Sequence, residues 1–355
     1  MKSVSASGAP LYFAFPGKLD TPTGGYRYDR RLISELRRLG LAVELIPLSA
    51  CFPFPDHQAM EQARLAIAAL PDGAVVIIDG LAFGVMDSLA AAEAQRLRII
   101  ALCHHPLALE SGLEAVQQAR FHASEQRALQ SASAVVVTSE HTRRILAAEF
   151  AVHQTRILVA LPGTDRVAFS PCKGNPLRLL TVASLTRRKA HDVLIDALAP
   201  LSTLPWQARF VGGTNFDPAW SAGLQQQVNR LQLQERIAFV GTVENLEAEF
   251  HSADLFVLPS RFEGYGMVFA EALAAGLPVI AARAGAVPDV VPEAAGLLVP
   301  PDDVEALTAA LHKLLTQEKL RRQLQTGARR AASTLPTWAD TAQQVVGLIE
   351  EIQRS

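Results

Sequence analysis

The sequence predicts an α/β protein: two doubly wound parallel-sheet domains facing each other across a cleft. Three observations predict it. Short apolar runs alternate with helical stretches along all 355 residues. The runs are continuously apolar rather than alternating, which marks parallel strands covered by helices on both faces. The chain is also longer than one core usually supports, and it breaks at "LPGTDRVAFSPCKGNP" (161–176), rich in Pro, Gly and Ser.

In the first half, strands are expected at "LYFAF" (11–15), "AVELIPL" (42–48), "AVVIIDG" (74–80), "RIIAL" (98–102), "AVVVTS" (134–139) and "RILVAL" (156–161). In the second half they are expected at "LRLLTVA" (177–183), "ARFVGG" (208–213), "RIAFVG" (236–241), "LFVLPS" (255–260) and "PVIAAR" (278–283). Domains of residues 1–165 and 166–337 follow. Ligands of such sheets lie outside the carboxyl ends of the strands, so the loops after the strands are the candidate sites.

Composition excludes other classes. With 49% hydrophobic and 19% charged residues, disorder is not the theme, and a net charge of −2 gives no global basic field for nucleic acid. No apolar run approaches the ~20 residues of a membrane span, and "MKSVSASGAPLYFAF" shows neither a signal-peptide core nor a cleavage site. Cys51, Cys103 and Cys172 are scattered without CxxC spacing. A reduced, cytoplasmic compartment is expected, with no disulfide frame and no zinc site.

Gly24 and Gly25 directly precede a helix whose apolar positions Leu32, Ile33, Leu36 and Leu39 recur at helical spacing. Such a pair either lets backbone N–H groups approach an anion at the helix N-terminus or serves a loop needing positive φ. The full GxGxxG fingerprint of dinucleotide enzymes is absent. His104 and His105 end the strand of "RIIAL". Adjacent strand side chains face opposite ways, so one of the two is expected to point to the cleft, and no third metal ligand stands nearby in sequence.

In the second half, Lys189, with Arg187 and Arg188 beside it, stands just before a helix starting near His191. A cation there opposes the helix dipole unless an anion lies between them; the alternative is a solvated basic loop. In "SRFEGYGMVFAEALAAG" (260–276), Gly264 and Gly266 flank Tyr265. A helix is expected from Met267 to Ala275, with Gly276 as its stop. Glu263 and Glu271 sit among apolar residues, so their carboxylates need partners. Eight residues of helix rise roughly 12 Å, comparable to the span between ribose and hexose across a pyrophosphate. Glu271 is then expected to accept from ribose hydroxyls and Glu263 from the sugar. A glycosidase acid–base pair needs two carboxyls within ~10 Å on two sides of one bond, which a shared helix does not favour.

The spacing in "EGYGMVFAE" resembles the E-x7-E signature of family 4 retaining glycosyltransferases, which have the GT-B fold of two Rossmann-like domains. Residues 241–291 resemble that family's nucleotide-binding core nearly throughout, and "TGGY", "HHPLALE", "VTSEHTRRIL", "LPGTD" and "RRKAHDVLIDAL" match in order. The resemblance therefore covers essentially the whole chain. It implies an acceptor-side first domain and a second domain that binds the nucleotide sugar, with the helix of 338–355 packing back on the first. It implies that Gly24 and Gly25 approach the diphosphate and that Lys189, with Arg187 or Arg188, clamps it. His104 then lies near the transferred sugar, which Glu263 and the amides of Gly264, Tyr265, Gly266 and Met267 hold. Glu271 holds the ribose, and Val243 lies near the base. One departure is Ala183-Ser184 where many members have Gly-Arg.

The expected activity is transfer of a hexose from a nucleoside diphosphate sugar to a glycan or lipid-linked hydroxyl in cell-surface polysaccharide or glycolipid synthesis. An epimerase or hydrolase on the same fold, or a non-catalytic nucleotide-sugar sensor, are the alternatives. No cofactor or metal is expected, since no Asp-x-Asp motif occurs. Arg27, Arg30, Arg31, Arg37 and Arg38 make the first helix either a solvated face or one that rests peripherally on anionic lipid at the inner face of the membrane.

Overall fold

A computed structural model describes residues 9–110 and 112–354. The first eight residues, part of the stretch read as lacking a secretory leader, lie outside the described residues, as do Ser111 and Ser355. The chain forms two compact units, Met1–Gly163 with Pro336–Ser355, and Thr164–Leu335. The sequence reading divided it after residues 165 and 337.

The first unit contains β1 (Leu11–Pro16), β2 (Val43–Leu48), β3 (Val75–Asp79), β4 (Arg98–Cys103), β5 (Ala134–Val137) and β6 (Ile157–Val159). They form one parallel sheet in the order β2-β1-β3-β4-β5-β6. β3 and β5 are buried along their whole length, as their unbroken apolar sequences require. β2 is the exception: four of its six residues are not buried, and it carries Pro47, which an edge strand tolerates because one side needs no donor.

After β1 comes the helix Gly24–Arg38, capped by the Thr23 hydroxyl and ending in Arg37 and Arg38, which suit its negative end. Its inner face buries Tyr28, Asp29, Leu32, Ile33 and Leu36. The helix Trp338–Arg354 returns to pack on it. The Trp338 ring meets Tyr28 edge-on at 5.6 Å, with the Arg31 guanidinium 5.2 Å above the indole. Gly163 admits this approach, because a Cβ there would collide with the Trp338 backbone.

The second unit contains β7 (Leu177–Val182), β8 (Trp206–Val211), β9 (Ile237–Gly241), β10 (Leu255–Leu258), β11 (Val279–Ala282) and β12 (Gly296–Val299). The order β12-β11-β10-β7-β8-β9 is that of two βαβαβ halves wound outward from β7 and β10. β12 was absent from the sequence expectation. It opens on Gly296 and has only three apolar residues, two of them half-buried, and it pairs with β11. Each unit has its own apolar core.

Strand order reverses between β1 and β3 in the first sheet and between β7 and β10 in the second. Chains leaving such a pair diverge to opposite faces and open a crevice at the carboxyl ends. Among the described residues no helix is long and apolar enough to cross a membrane, and Cys51, Cys103 and Cys172 are unpaired.

Candidate functional site

At the β7/β10 switch point the loops after the two strands bring three charged side chains together. The loop after β7 contains a tight turn, Arg187–Lys189, and then Ala190 in the left-handed region (φ 53°) before the helix His191–Leu198. The loop after β10 carries Glu263. Lys189 Nζ lies 2.6 Å from Glu263 Oε1, and Arg188 Nη1 lies 3.4 Å from Oε2 and 3.0 Å from the Phe262 carbonyl. Of the two readings of Lys189, a solvated basic loop or a cation facing an anion, the structure shows an anion beside it, the protein's own Glu263.

Burial alone would raise the Glu263 carboxyl. The Lys189 ammonium and the Arg188 guanidinium outweigh it and hold the group below the usual carboxylate range. The side chains are 15% (Lys189), 22% (Arg188) and 6% (Glu263) exposed, so this is no surface pair of ~0–1 kcal/mol.

Arg187 does not join them. Its guanidinium lies 4.4 Å above the Trp220 ring, its side chain 65% exposed. Arg188 is thus the arginine that stands with Lys189. Arg261, which sequence reading missed, fixes the turn. Its backbone N–H donates to Arg188 O at 2.8 Å, and its guanidinium binds Arg187 O, Asp192 (2.7 Å) and Asp302 (2.7 Å).

The Glu263 backbone is fixed as tightly. Ala286 N–H donates to its carbonyl at 2.9 Å, and Gly285 (φ +57°) passes so close that a Cβ would collide with that oxygen. Gly264 is half-buried, and burial pushes the Tyr265 phenol up to about 12. Gly266 takes φ +84° to start the helix Met267–Ala274. Glu263 therefore lies before the helix rather than in it, so the expected eight-residue helical rise does not apply. From Met267 to half-buried Glu271 the rise is about 6 Å. Val243 is half-buried, two residues beyond β9.

At the β1/β3 switch point of the first unit, His104 follows β4 and His105 faces elsewhere, pairing with Glu110 at 2.9 Å. His104 Nε2 lies 3.1 Å from Asp29 and 3.4 Å from Asp79. Asp79 also caps the short helix Gly80–Phe83 through Leu81 N–H at 2.8 Å. Neither Gly24 nor Gly25 takes a positive φ. At Gly25 a Cβ would stand 3.2 Å from the His104 ring, while Gly24 faces open space. The alternative of glycines required by turn geometry thus fails, and a side chain at Gly25 would crowd the His104 ring.

Sequence reading missed Asp29 and Asp79. Asp29 had a visible signal: it falls three, four and seven residues before Leu32, Ile33 and Leu36, on the apolar face. On this helix Arg30 meets the Leu19 and Thr21 carbonyls, Arg31 the Trp338 ring, Arg37 the Val43 carbonyl and Arg38 Glu35. Glu125, buried beneath the His104 loop, accepts from Leu107 N–H at 2.8 Å.

Residues 167–331 match the family described as glycosyl transferases group 1. The mannosylfructose-phosphate synthase of Agrobacterium fabrum is 30% identical over 241 residues, covering 62% of this chain and 53% of that protein; the match thus spans about half the length of this relative. Among solved structures, the sucrose-phosphate synthase of Thermosynechococcus elongatus superposes with a TM-score of 0.80 at 21% identity, covering 96% of this chain and 99% of the other. Anabaena HepE in complex with UDP-glucose gives 0.75 at 19%, covering 96% and 99%.

Proposed function

Starting from a chain whose residues 167–331 match the group 1 glycosyl transferases, on an α/β GT-B fold, we propose that it moves a hexose from a nucleoside diphosphate sugar to an acceptor hydroxyl with retention. The observation that carries this is the Lys189–Arg188 cation pair at the β7/β10 switch point, held in place by Glu263. In the reaction the bond from the anomeric carbon to the diphosphate oxygen breaks, and its electron pair leaves with the diphosphate. The acceptor oxygen bonds to the same face of that carbon, and its proton passes to the departing diphosphate oxygen. Negative charge grows on the diphosphate as it leaves, so fixed cations bind the transition state more tightly than the ground state.

In this reading Lys189 and Arg188 bind the diphosphate with the amides of Gly264 to Met267. Glu263 orients Lys189 and accepts from a sugar hydroxyl, Glu271 accepts from the ribose, and Val243 borders the base. The protein cations supply the compensating charge, so transfer is proposed to need no metal and to persist in EDTA. The mannosyl group in the name of one relative and the UDP-glucose of one neighbour make UDP-glucose and nucleoside diphosphate mannoses the first donors to test. The acceptor class is a glycan or lipid-linked hydroxyl.

Thermal-shift measurement across nucleoside diphosphate hexoses tests the binding half. A tight ligand of the folded state raises Tm by mass action, by about 2.7 kcal/mol of stability at a hundredfold excess over Kd. One donor should raise Tm in the native chain and not in Lys189→Met. A flat response to every nucleotide would overturn the proposal.

A further inference from the structure

The first unit holds a charged group that sugar transfer does not by itself demand. Asp29 and Asp79 are both buried, and the single nitrogen Nε2 of His104 faces both carboxylates. One Asp79 oxygen is already taken by Leu81 N–H, and Asp29 Oδ2 has no partner at all. A neutral ring would leave these acids facing one another in a buried place with no positive charge among them. The other titratable groups packed around the cluster cannot supply one. Burial raises the Tyr26 and Tyr28 phenols, with Asp79 and Asp29 adding to it at Tyr26 and Asp29 at Tyr28, and the Cys103 thiol is raised by burial, Glu125 and Asp79. Gly25 gives the ring its place, since any side chain there would press on it.

We propose that Asp29 and Asp79 are positioning residues that hold His104 as a fixed imidazolium, so that the ring offers hydrogen-bond donors, and never an acceptor, at the carboxyl edge of the first sheet. The ring is 18% exposed, which leaves it open to an approaching oxygen. Burial works against its charge, but the Asp29 and Asp79 carboxylates outweigh burial and raise its pKa. Burial and the neighbouring Asp79 raise the Asp29 carboxyl. The consequence for catalysis rests on the proposed transfer: His104 gives a phosphate or hydroxyl oxygen a proton-bearing nitrogen and does not act as a base. The charge state itself does not rest on it.

The test is ring nitrogen-15 NMR of the full chain labelled at histidine, with the His104 signal assigned by its loss in His104→Gln. From about pH 6 to about pH 9 both ring nitrogens should stay at protonated positions, whereas an unperturbed imidazole titrates near 6.5. In Asp29→Asn/Asp79→Asn the signal should titrate at or below that value. A midpoint near 6.5 in the native chain overturns the proposal and needs no variant. So does selective broadening of His104 by added manganese, because the three ligand atoms lie within 4.8 Å of one another and would then be a cation site. With an active donor, kcat/KM of Asp79→Asn should fall about tenfold per pH unit above the lowered pKa while the native profile stays flat. If no donor turns over, the spectra still decide the charge of the ring; if the spectra fail, transfer stands without it.

Discussion

Glu263 accepts from two cations, and its loss removes the carboxylate that both share. A hydrogen bond to a charged group contributes about 1.5–3 kcal/mol, so Glu263→Gln should lower kcat roughly ten- to a hundredfold and also lower Tm. Because the carboxylate and Lys189 act as a pair, Glu263→Gln/Lys189→Met should cost no more than the worse single change; additive losses would show that they act separately. Glu271→Gln should raise the donor KM and leave kcat nearly unchanged, since the ribose does not change during transfer. Glu125 gives a pH prediction. Burial pushes its carboxyl up to about 8, against an ordinary 4.5, while the Leu107 and Ala108 N–H groups oppose the shift. The folded state thus keeps a proton that the unfolded state releases. This contribution is complete below 4.5 and is lost as pH rises through 8. Urea melts at both ends of that window should show native stability falling with pH and a flatter response in Glu125→Gln; equal slopes would refute the assignment. At this scale the sequence showed Lys189 and Glu263, which stand beside helix starts. It hid their pairing, because 74 residues separate the two and only the β7/β10 crossover joins them.

Single elements decide whether those side chains meet. The turn Arg187–Lys189 has no side-chain cap of its own and depends on Arg261 from the neighbouring loop. Arg261→Gln should therefore raise the donor KM without touching the ligand, by less than Lys189→Met does, and an unchanged KM would remove Arg261 from the account. Gly285→Ala tests the other support. It places a Cβ against the Glu263 carbonyl at a backbone angle that favours glycine, so a stability loss of at least ~1–3 kcal/mol is expected by urea melting. The strands were legible as elements because parallel strands are uniformly apolar; β12 was not, since it opens on a glycine and has only three apolar residues, two of them half-buried. The start of the helix at Met267 was legible from Gly266, yet the sequence spacing made Glu263 and Glu271 look like residues of one helix.

Across the whole molecule, two separate cores sit in one chain whose last helix belongs to the first unit. Truncation after Leu335 should lower the melting of the first unit, which loses Trp338 from Tyr28 and Arg31, while the nucleotide-dependent thermal shift of the second persists. Loss of that shift would tie binding to the first unit's integrity. The two-domain class was visible from strand character and the 161–176 break. The His104 cluster was not, because its members come from one helix and two strand ends far apart in the chain. The most direct measurement is proton NMR of the best-stabilising nucleotide hexose with acceptor present, in the native chain and in Lys189→Met. Release of nucleoside diphosphate together with a new glycoside of the donor's anomeric configuration is expected, and is expected to be lost in the variant. Free or epimerised sugar without a glycoside, an inverted product, or no turnover of any nucleotide that binds would contradict it.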